Sequence, residues 1–109
     1  MANTFKLKTK ANVGVTTVGI YTAPAATTTV VIGITIANTS GSGVNVGVGI
    51  TRAGTTEDVK LLKNAPIPQG SSLEFMAGNK IVLEATDTVT VDSDTNNSID
   101  AALTIMEIT

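Results

Sequence analysis

Cysteine, histidine and tryptophan are missing from this chain altogether. Their absence removes whole classes of chemistry. Without a thiolate or an imidazole there is no cysteine nucleophile, no histidine general base, no Ser-His-Asp triad and no Cys/His zinc site. No disulfide can form, so the redox compartment leaves no mark on the sequence. Aromatic residues are scarce: Phe5, Tyr21 and Phe75 are all there are. A core must therefore be built from Val, Ile, Leu and Ala. Charged residues make up only 15%, with a net charge of −2. No basic concentration of the kind that nucleic acids require is present, and none of that partner class is expected. No apolar run approaches the ~18 residues of a membrane-spanning helix, so no membrane partner is expected either. The opening segment MANTFKLKTK lacks a secretory apolar stretch, which predicts synthesis in a cytoplasm without a signal peptide.

What the chain does have is Thr, Val, Ile and Gly, arranged with a period of two. In TFKLKTK, Phe5 and Leu7 alternate with Lys6, Lys8 and Lys10. In TTTVVIGITIANT, Val30, Ile32, Ile34 and Ile36 are placed on one face and Val31, Gly33, Thr35 and Ala37 on the other. SGSG breaks that run. VNVGVGITRA follows, with Val44, Val46, Val48 and Ile50 inward and Asn45, Gly47, Gly49 and Thr51 outward. The two runs read as a long hairpin with its loop near Thr39 to Gly43. DVKLLKNAPI is a strand that ends among prolines unable to donate to a ladder. LEFMAG reads as a short edge strand, NKIVLEAT and DTVTVDS as two strands around Thr86 and Asp87, and SIDAALTIMEIT as the last.

About eight to nine short strands with turns every 8 to 12 residues predict an all-β protein. The expected fold is a single antiparallel β-sandwich over residues 1–109, jelly-roll or Greek-key like. Residues 3–10 are expected as an edge strand or an extended arm.

Four features are candidate sites. DSDTNNSID places oxygen side chains at Asp92, Asp94, Asn96, Ser98 and Asp100, close to the spacing of a calcium loop. Position 12 of that pattern is Leu103 rather than a bidentate Glu, and the flanks are strands. The stretch therefore reads first as a polar loop, with Asp92, Asp94, Asn96 and Asp100 as a weak metal candidate. Lys6, Lys8 and Lys10 are either a solvated edge that discourages strand pairing or a face for an acidic partner. Gly33, Gly47 and Gly49 mark either bulges and close approach within the fold or a small-residue face for another subunit. The last strand is apolar on both sides, with Met106 and Ile108 on the side opposite Leu103 and Ile105, which suits a central strand or one covered by a neighbouring subunit. No cofactor and no catalytic residue is expected, so the chain is expected not to be an enzyme.

One further signal lies in the long stretch PIPQGSSLEFMAGNKIVLEATDTVTV, with AALTIMEIT at the end and TTVVIGITIANTSGSGVNVGVGITR before it. The Pro68 to Leu73 turn, the Gly78 to Glu84 strand and the terminal Met106 to Thr109 carry the pattern. It resembles small virion structural proteins of tailed bacteriophages, especially those of marine and cyanobacterial phages. The resemblance implies a β-sandwich without catalytic residues, located in the virion. The implied role is a decoration or cement protein on the capsid, or else a neck, tail or fibre component, with receptor or calcium binding as a variant of the last. It also implies major capsid or other virion proteins as partners, and a homo-oligomer such as a trimer set by particle symmetry.

Overall fold

Alternating Val, Ile and Thr side chains need two surfaces to bury against each other, and the chain supplies them as two antiparallel sheets. A computed structural model of the protein describes residues 3–54, 57–75 and 80–109, with Phe75 described by its backbone alone. Thr55 and Thr56 of AGTTED, which reads in the sequence as a turn, the end of LEFMAG from Met76 on and the Asn79 start of NKIVLEAT lie outside the described residues. Within them are β1 (Asn3–Val13), β2 (Val18–Thr22), β3 (Thr28–Asn38), β4 (Val44–Arg52), β5 (Glu57–Ile67), β6 (Ser72–Phe75), β7 (Ile81–Leu83), β8 (Thr88–Ser93) and β9 (Ile99–Ile108). Among these residues no helix is long and apolar enough to cross a membrane.

The pairing is nested along the chain. β1 pairs with β9, β2 with β8, β3 with β6 and β7, and β4 with β5. One long ribbon thus doubles back between β4 and β5 and is rolled up. Rolling lays β9 against β3 and β8 against β4. The result is a first sheet in the order β1-β9-β3-β6, with β7 also on β3, and a second in the order β2-β8-β4-β5. This is a jelly roll, in which β6 and β7 share the place of one edge strand.

The core lies between the sheets. Ile34, Ile36, Leu83, Leu103 and Ile105 of the first sheet meet Val46, Val48, Val89 and Val91 of the second, all at 3% exposure or less. Each such side chain contributes about 1.5–3 kcal/mol relative to remaining in water. Val44, Val46, Val48 and Ile50 face inward as the alternation predicted.

Two expectations are corrected. First, β3 and β4 do not form a hairpin, because they lie in opposite sheets. The reason is Asn38. Its side chain, 5% exposed, donates to the carbonyls of Ser42 and Ile67 at 2.8 and 2.9 Å and accepts from Ser40 N and Oγ at 2.9 and 2.8 Å. These bonds turn the Thr39 to Gly43 segment across the edge of the sandwich instead of back along β3. Second, Val30 and Ile32 are not on the core face. The register of β3 against β9 slips between Val31 and Gly33. The extra residue is a bulge, and a bulge reverses which side chains face inward. Thr29 and Val31 point to the core before it, Ile34 and Ile36 after it, and Val30 and Ile32 sit half-buried on the outside.

Buried polar residues mark the other corners where the chain changes sheets. Asp87, 3% exposed, accepts from Glu84 N at 3.0 Å and meets Arg52 Nε at 3.3 Å, while Arg52 also pairs with Glu84. Asp87 first, then Glu84, hold the guanidinium firmly protonated. At the β8–β9 corner Ser93 Oγ and Ser98 Oγ are 2.6 Å apart, and Ser98 Oγ donates to Thr95 O. Among the described residues no buried side-chain nitrogen or oxygen lacks a partner.

Candidate assembly interface

The acidic stretch is a corner, not a pocket. Asp92 is the last residue but one of β8 in one sheet and Asp100 the second residue of β9 in the other. Each of the three carboxylates is engaged by a different part of the chain. Asp92 Oδ2 accepts from Thr17 Oγ1 at 2.8 Å, Asp94 Oδ1 from Asn45 N at 3.1 Å, and Asp100 Oδ1 from Asn12 N at 2.9 Å. Asn96 packs on Gly14, where an added Cβ would lie 3.1 Å from it. Asn97 takes the left-handed conformation, with φ 50°, which Asn tolerates better than most residues. Among the described residues no three His, Cys, Asp or Glu side chains are grouped to hold a metal ion.

The lysines of β1 take the side of the strand opposite to Phe5 and Leu7. Lys6, Lys8 and Lys10 stand opposite Ile105, Leu103 and Ala101, so they share the core-facing side of the first sheet. They are accommodated because β1 is the edge strand, where long side chains reach water past the rim. Lys6 Nζ binds Glu107 Oε1 at 2.8 Å, and Lys8 Nζ lies 6.0 Å from the centre of the Tyr21 ring. Glu107, 7% exposed, continues the core row of β9 as a carboxylate. Its second oxygen accepts from the Tyr21 hydroxyl at 2.6 Å, and that hydroxyl is also 2.8 Å from Thr29 Oγ1.

This network has a pH signature. Lys6, and then Tyr21, hold the Glu107 carboxyl below its ordinary value of 4.5. Its contribution is therefore present above that value and is lost as pH falls through the lower folded one. Burial, and then the bond to Glu107, push the Tyr21 phenol from 10.0 up to about 12. That contribution is complete below pH 10 and is lost as pH rises towards 12. The melting temperature of the wild type should fall across this alkaline window more steeply than that of Tyr21→Phe. Parallel slopes would refute the assignment.

Gly47 and Gly49 are consumed within the fold. The register of β4 against β5 slips twice, between Val46 and Val48 and between Val48 and Gly49. These bulges press β5 and β8 onto the glycines. A Cβ on Gly47 would lie 2.7 Å from Asp92 Oδ1, and one on Gly49 would lie 2.8 Å from Val59 O. Gly33 differs: a Cβ there meets nothing within 4 Å.

Gly33, Met106 and Ile108 come together on the outer face of the first sheet. The register aligns Phe5, Met106, Val30 and Val82 in one row across four strands, with Phe5 69% and Val82 59% exposed. Leu7, 66% exposed, heads the next row with Thr104 and Gly33. Phe5, Leu7, Val30 and Val82 were not singled out from the sequence. The alternation of β1 places Phe5 and Leu7 together but does not say which side faces water. Further along the same face is a shallow trough of about 300 Å³ lined by Thr9, Ala11, Thr35, Ala37 and Ala102 and by the carboxylate-bearing Asp100, and Glu74 of β6 stands beside Thr35 on the same side. A row as apolar and exposed as that of Phe5 is uncommon on isolated soluble proteins and marks a contact surface.

No family model and no curated protein matches the sequence. Solved structures do share the fold. A chain of the cyanophage Pam1 capsid asymmetric unit is similar over 95% of this chain and 85% of that one, with a TM-score of 0.56 and 15% identity. A chain from the structure of Bacillus endospore appendages, a family of disulfide-linked pili, is similar over 99% of this chain and 87% of that one, with a TM-score of 0.57 and 16% identity. In infectious bursal disease virus of the Gx strain the likeness covers 95% of this chain but only 33% of that one, with a TM-score of 0.57 and 13% identity. The resemblance to virion proteins read from the sequence is thus matched at the level of the fold: a two-sheet β-sandwich of the kind found in virion proteins.

Proposed function

We propose that this chain is a non-enzymatic structural protein of a bacteriophage virion, seated on the outside of the capsid as a decoration or cement protein. The observation that carries this reading is the apolar row of Phe5, Met106, Val30 and Val82 on the outer side of the first sheet, on a jelly roll shared with a cyanophage capsid chain. Such a protein works by burying surface against its neighbours. Its partners are the major capsid protein and further copies of itself. Apolar contact of this kind contributes about 25 cal/mol per Å² before the costs of association.

The likeness to the endospore appendage chain favours a second reading, a neck, tail or fibre component. The appendage pili are disulfide-linked, and this chain has no cysteine. A filament built from it would be held by packing of faces and edges alone.

Mass spectrometry of purified particles, followed by an electron-microscopy map, tests both readings. Density for the jelly roll on the capsid exterior is the expected result. Density in the neck, tail or fibres selects the second reading, and a chain missing from the particles overturns both.

A further inference from the structure

We propose that residues 3–10 are an exchangeable arm: they leave the β9 edge of their own sandwich and take the same place on a second copy of this chain. The inference concerns the chain itself and does not depend on a place in a virion.

Little besides its backbone ladder joins the arm to the fold. β1 is an edge strand, and within residues 3–10 only Lys8 is even half-buried. Phe5 and Leu7 remain in water although they are paired. Among the described residues the side chains of the arm make two polar contacts, Lys6 with Glu107 and Lys8 over the Tyr21 ring. The share of β1 in the core is Val13, beyond the arm. A segment with so few buried apolar contacts opens at low free energy while the rest of a domain stays folded.

A hinge lies where the arm ends. Lys10 stands opposite Ala101 and Val13 opposite Ile99, three steps of β1 against two of β9. The extra residue is a bulge, which bends the strand. Within it Asn12 takes a φ of 57°, a left-handed conformation that is disfavoured for L-residues, if least so for Asn. Immediately beyond, the chain is fixed. Val13 is 2% exposed, its carbonyl accepts from Ser98 N–H at 3.0 Å, and the Gly14 carbonyl accepts from Ser93 N–H at 2.9 Å. A kinked segment of Ala11 and Asn12 thus separates a loosely held arm from a firm anchor. Straightening it relieves the left-handed residue, and short strained hinges favour exchange between copies.

The edge that the arm covers specifies its occupant. A bare β9 edge is a row of unpaired N–H and C=O groups, so another strand must replace the arm. Glu107 requires a cation where Lys6 now reaches it, because a carboxylate so nearly buried is costly without one. Opposite Ile105, Leu103 and Ala101 stand Lys6, Lys8 and Lys10, whose apolar stems lie at the rim of the core while their heads reach water. The same arm from a second copy meets all of these requirements in the same register. Exchange therefore restores every contact that opening breaks, and its balance is set by the hinge and by concentration.

The chain has no cysteine, so introduced thiols report the exchange directly. Leu7 and Thr104 are opposite one another, and both are exposed. Opposed residues of an antiparallel pair lie within disulfide reach. Leu7→Cys and Thr104→Cys on one chain should close a disulfide within a monomer at dilute concentration. On separate chains, one of them isotope-labelled, they should form a mixed disulfide dimer when combined at about 100 µM in a glutathione buffer. Leu7→Cys combined with Val59→Cys, on the edge of the other sheet and exposed, sets the level due to random encounter. Asn12→Val places a β-branched residue where the closed hinge needs a left-handed one, and should raise the mixed dimer about tenfold. Glu107→Gln removes the charge that Lys6 neutralises and should raise it as well. Circular-dichroism melts establish that the variants are folded, and Asn12→Thr gives the same test if the valine variant does not fold. A mixed dimer no more abundant than the Val59→Cys control, a double variant that does not close within one chain, or a yield unmoved by both the hinge and the Glu107→Gln substitutions overturns the proposal. The virion reading has its own test in the particles, so either can fail while the other stands.

Discussion

Asn38→Leu should lower the unfolding free energy by about 3 kcal/mol, with the number and branching of side-chain heavy atoms unchanged. An asparagine side chain offers two N–H donors and a carbonyl with two lone pairs, and all four capacities are used at this corner. The substitution strands the carbonyl of Ile67, a residue only 1% exposed, and removes the acceptor of Ser40 N–H. A buried polar group left without its partner costs about 1–3 kcal/mol. The exposed Ser42 carbonyl loses less, because water replaces the bond. Asn38→Asp should be worse than Asn38→Leu, since it retains the acceptor but sets a carboxylate against the two carbonyls that Asn38 Nδ2 now serves. Urea unfolding monitored by circular dichroism reads both variants, with a lowered midpoint and an unchanged slope. The expected fall in melting temperature is about 15 °C for the leucine variant. A loss below about 0.5 kcal/mol, the range of an ordinary surface substitution, would mean that the corner is held by something else.

The second large effect separates two glycines that look alike on paper. Gly49→Ala should destabilise by about 2 kcal/mol, because its Cβ arrives 2.8 Å from the backbone carbonyl of Val59 and 3.2 Å from Thr90 Oγ1. A backbone atom cannot rotate away, so β5 must shift or the strand must strain. Gly33→Ala should instead be neutral or stabilise by up to about 1 kcal/mol. Its Cβ enters open space, and the unfolded chain loses conformational freedom. The same chemical change is thus expected to differ in sign at two positions that are both interior to a strand. Equal melting temperatures for the two variants would contradict the bulged pairing of β4 with β5.

The alternation of apolar residues was enough to find the strands, because a half-buried strand has to repeat every two residues whatever its neighbours are. It also marked the Val44 to Ile50 core face and the two-sided apolarity of β9, which runs between β1 and β3. It could not find the bulge at Ile32, since one inserted residue changes no composition and yet reverses the inward face from there on. For the same reason the alternation groups Val30 with Ile34 and Ile36, although Val30 faces outward. The hairpin expected between β3 and β4 failed on Asn38. A five-residue polar loop suits a hairpin or a crossing equally, and only the carbonyl of Ile67, 29 positions further on, selects the crossing.

The candidate interface was legible in part. Met106, Ile108 and Gly33 do lie on one outer face, while Gly47 and Gly49 are enclosed by β5 and β8, and the lysines stand on the inner side of β1. Period two assigns Phe5 and Lys6 to opposite sides but carries no label for water. The label comes from Glu107. Its carboxylate lies at the rim of the core, where Lys6 and Tyr21 neutralise and bind it, and so fixes the lysine side of β1 inward.

By itself, then, the sequence determined the all-β class, the approximate strands and the want of cysteine and histidine chemistry, because these follow from residue type and local period. The tertiary structure decided the jelly-roll order, the direction of β1 and the face left apolar. Those depend on hydrogen bonds and ion pairs between residues far apart in the chain, and no local pattern encodes them. The DSDTNNSID stretch shows the difference: its spacing resembled a ligand set, but its carboxylates are distributed between two sheets and are held by Thr17, Asn45 and Asn12.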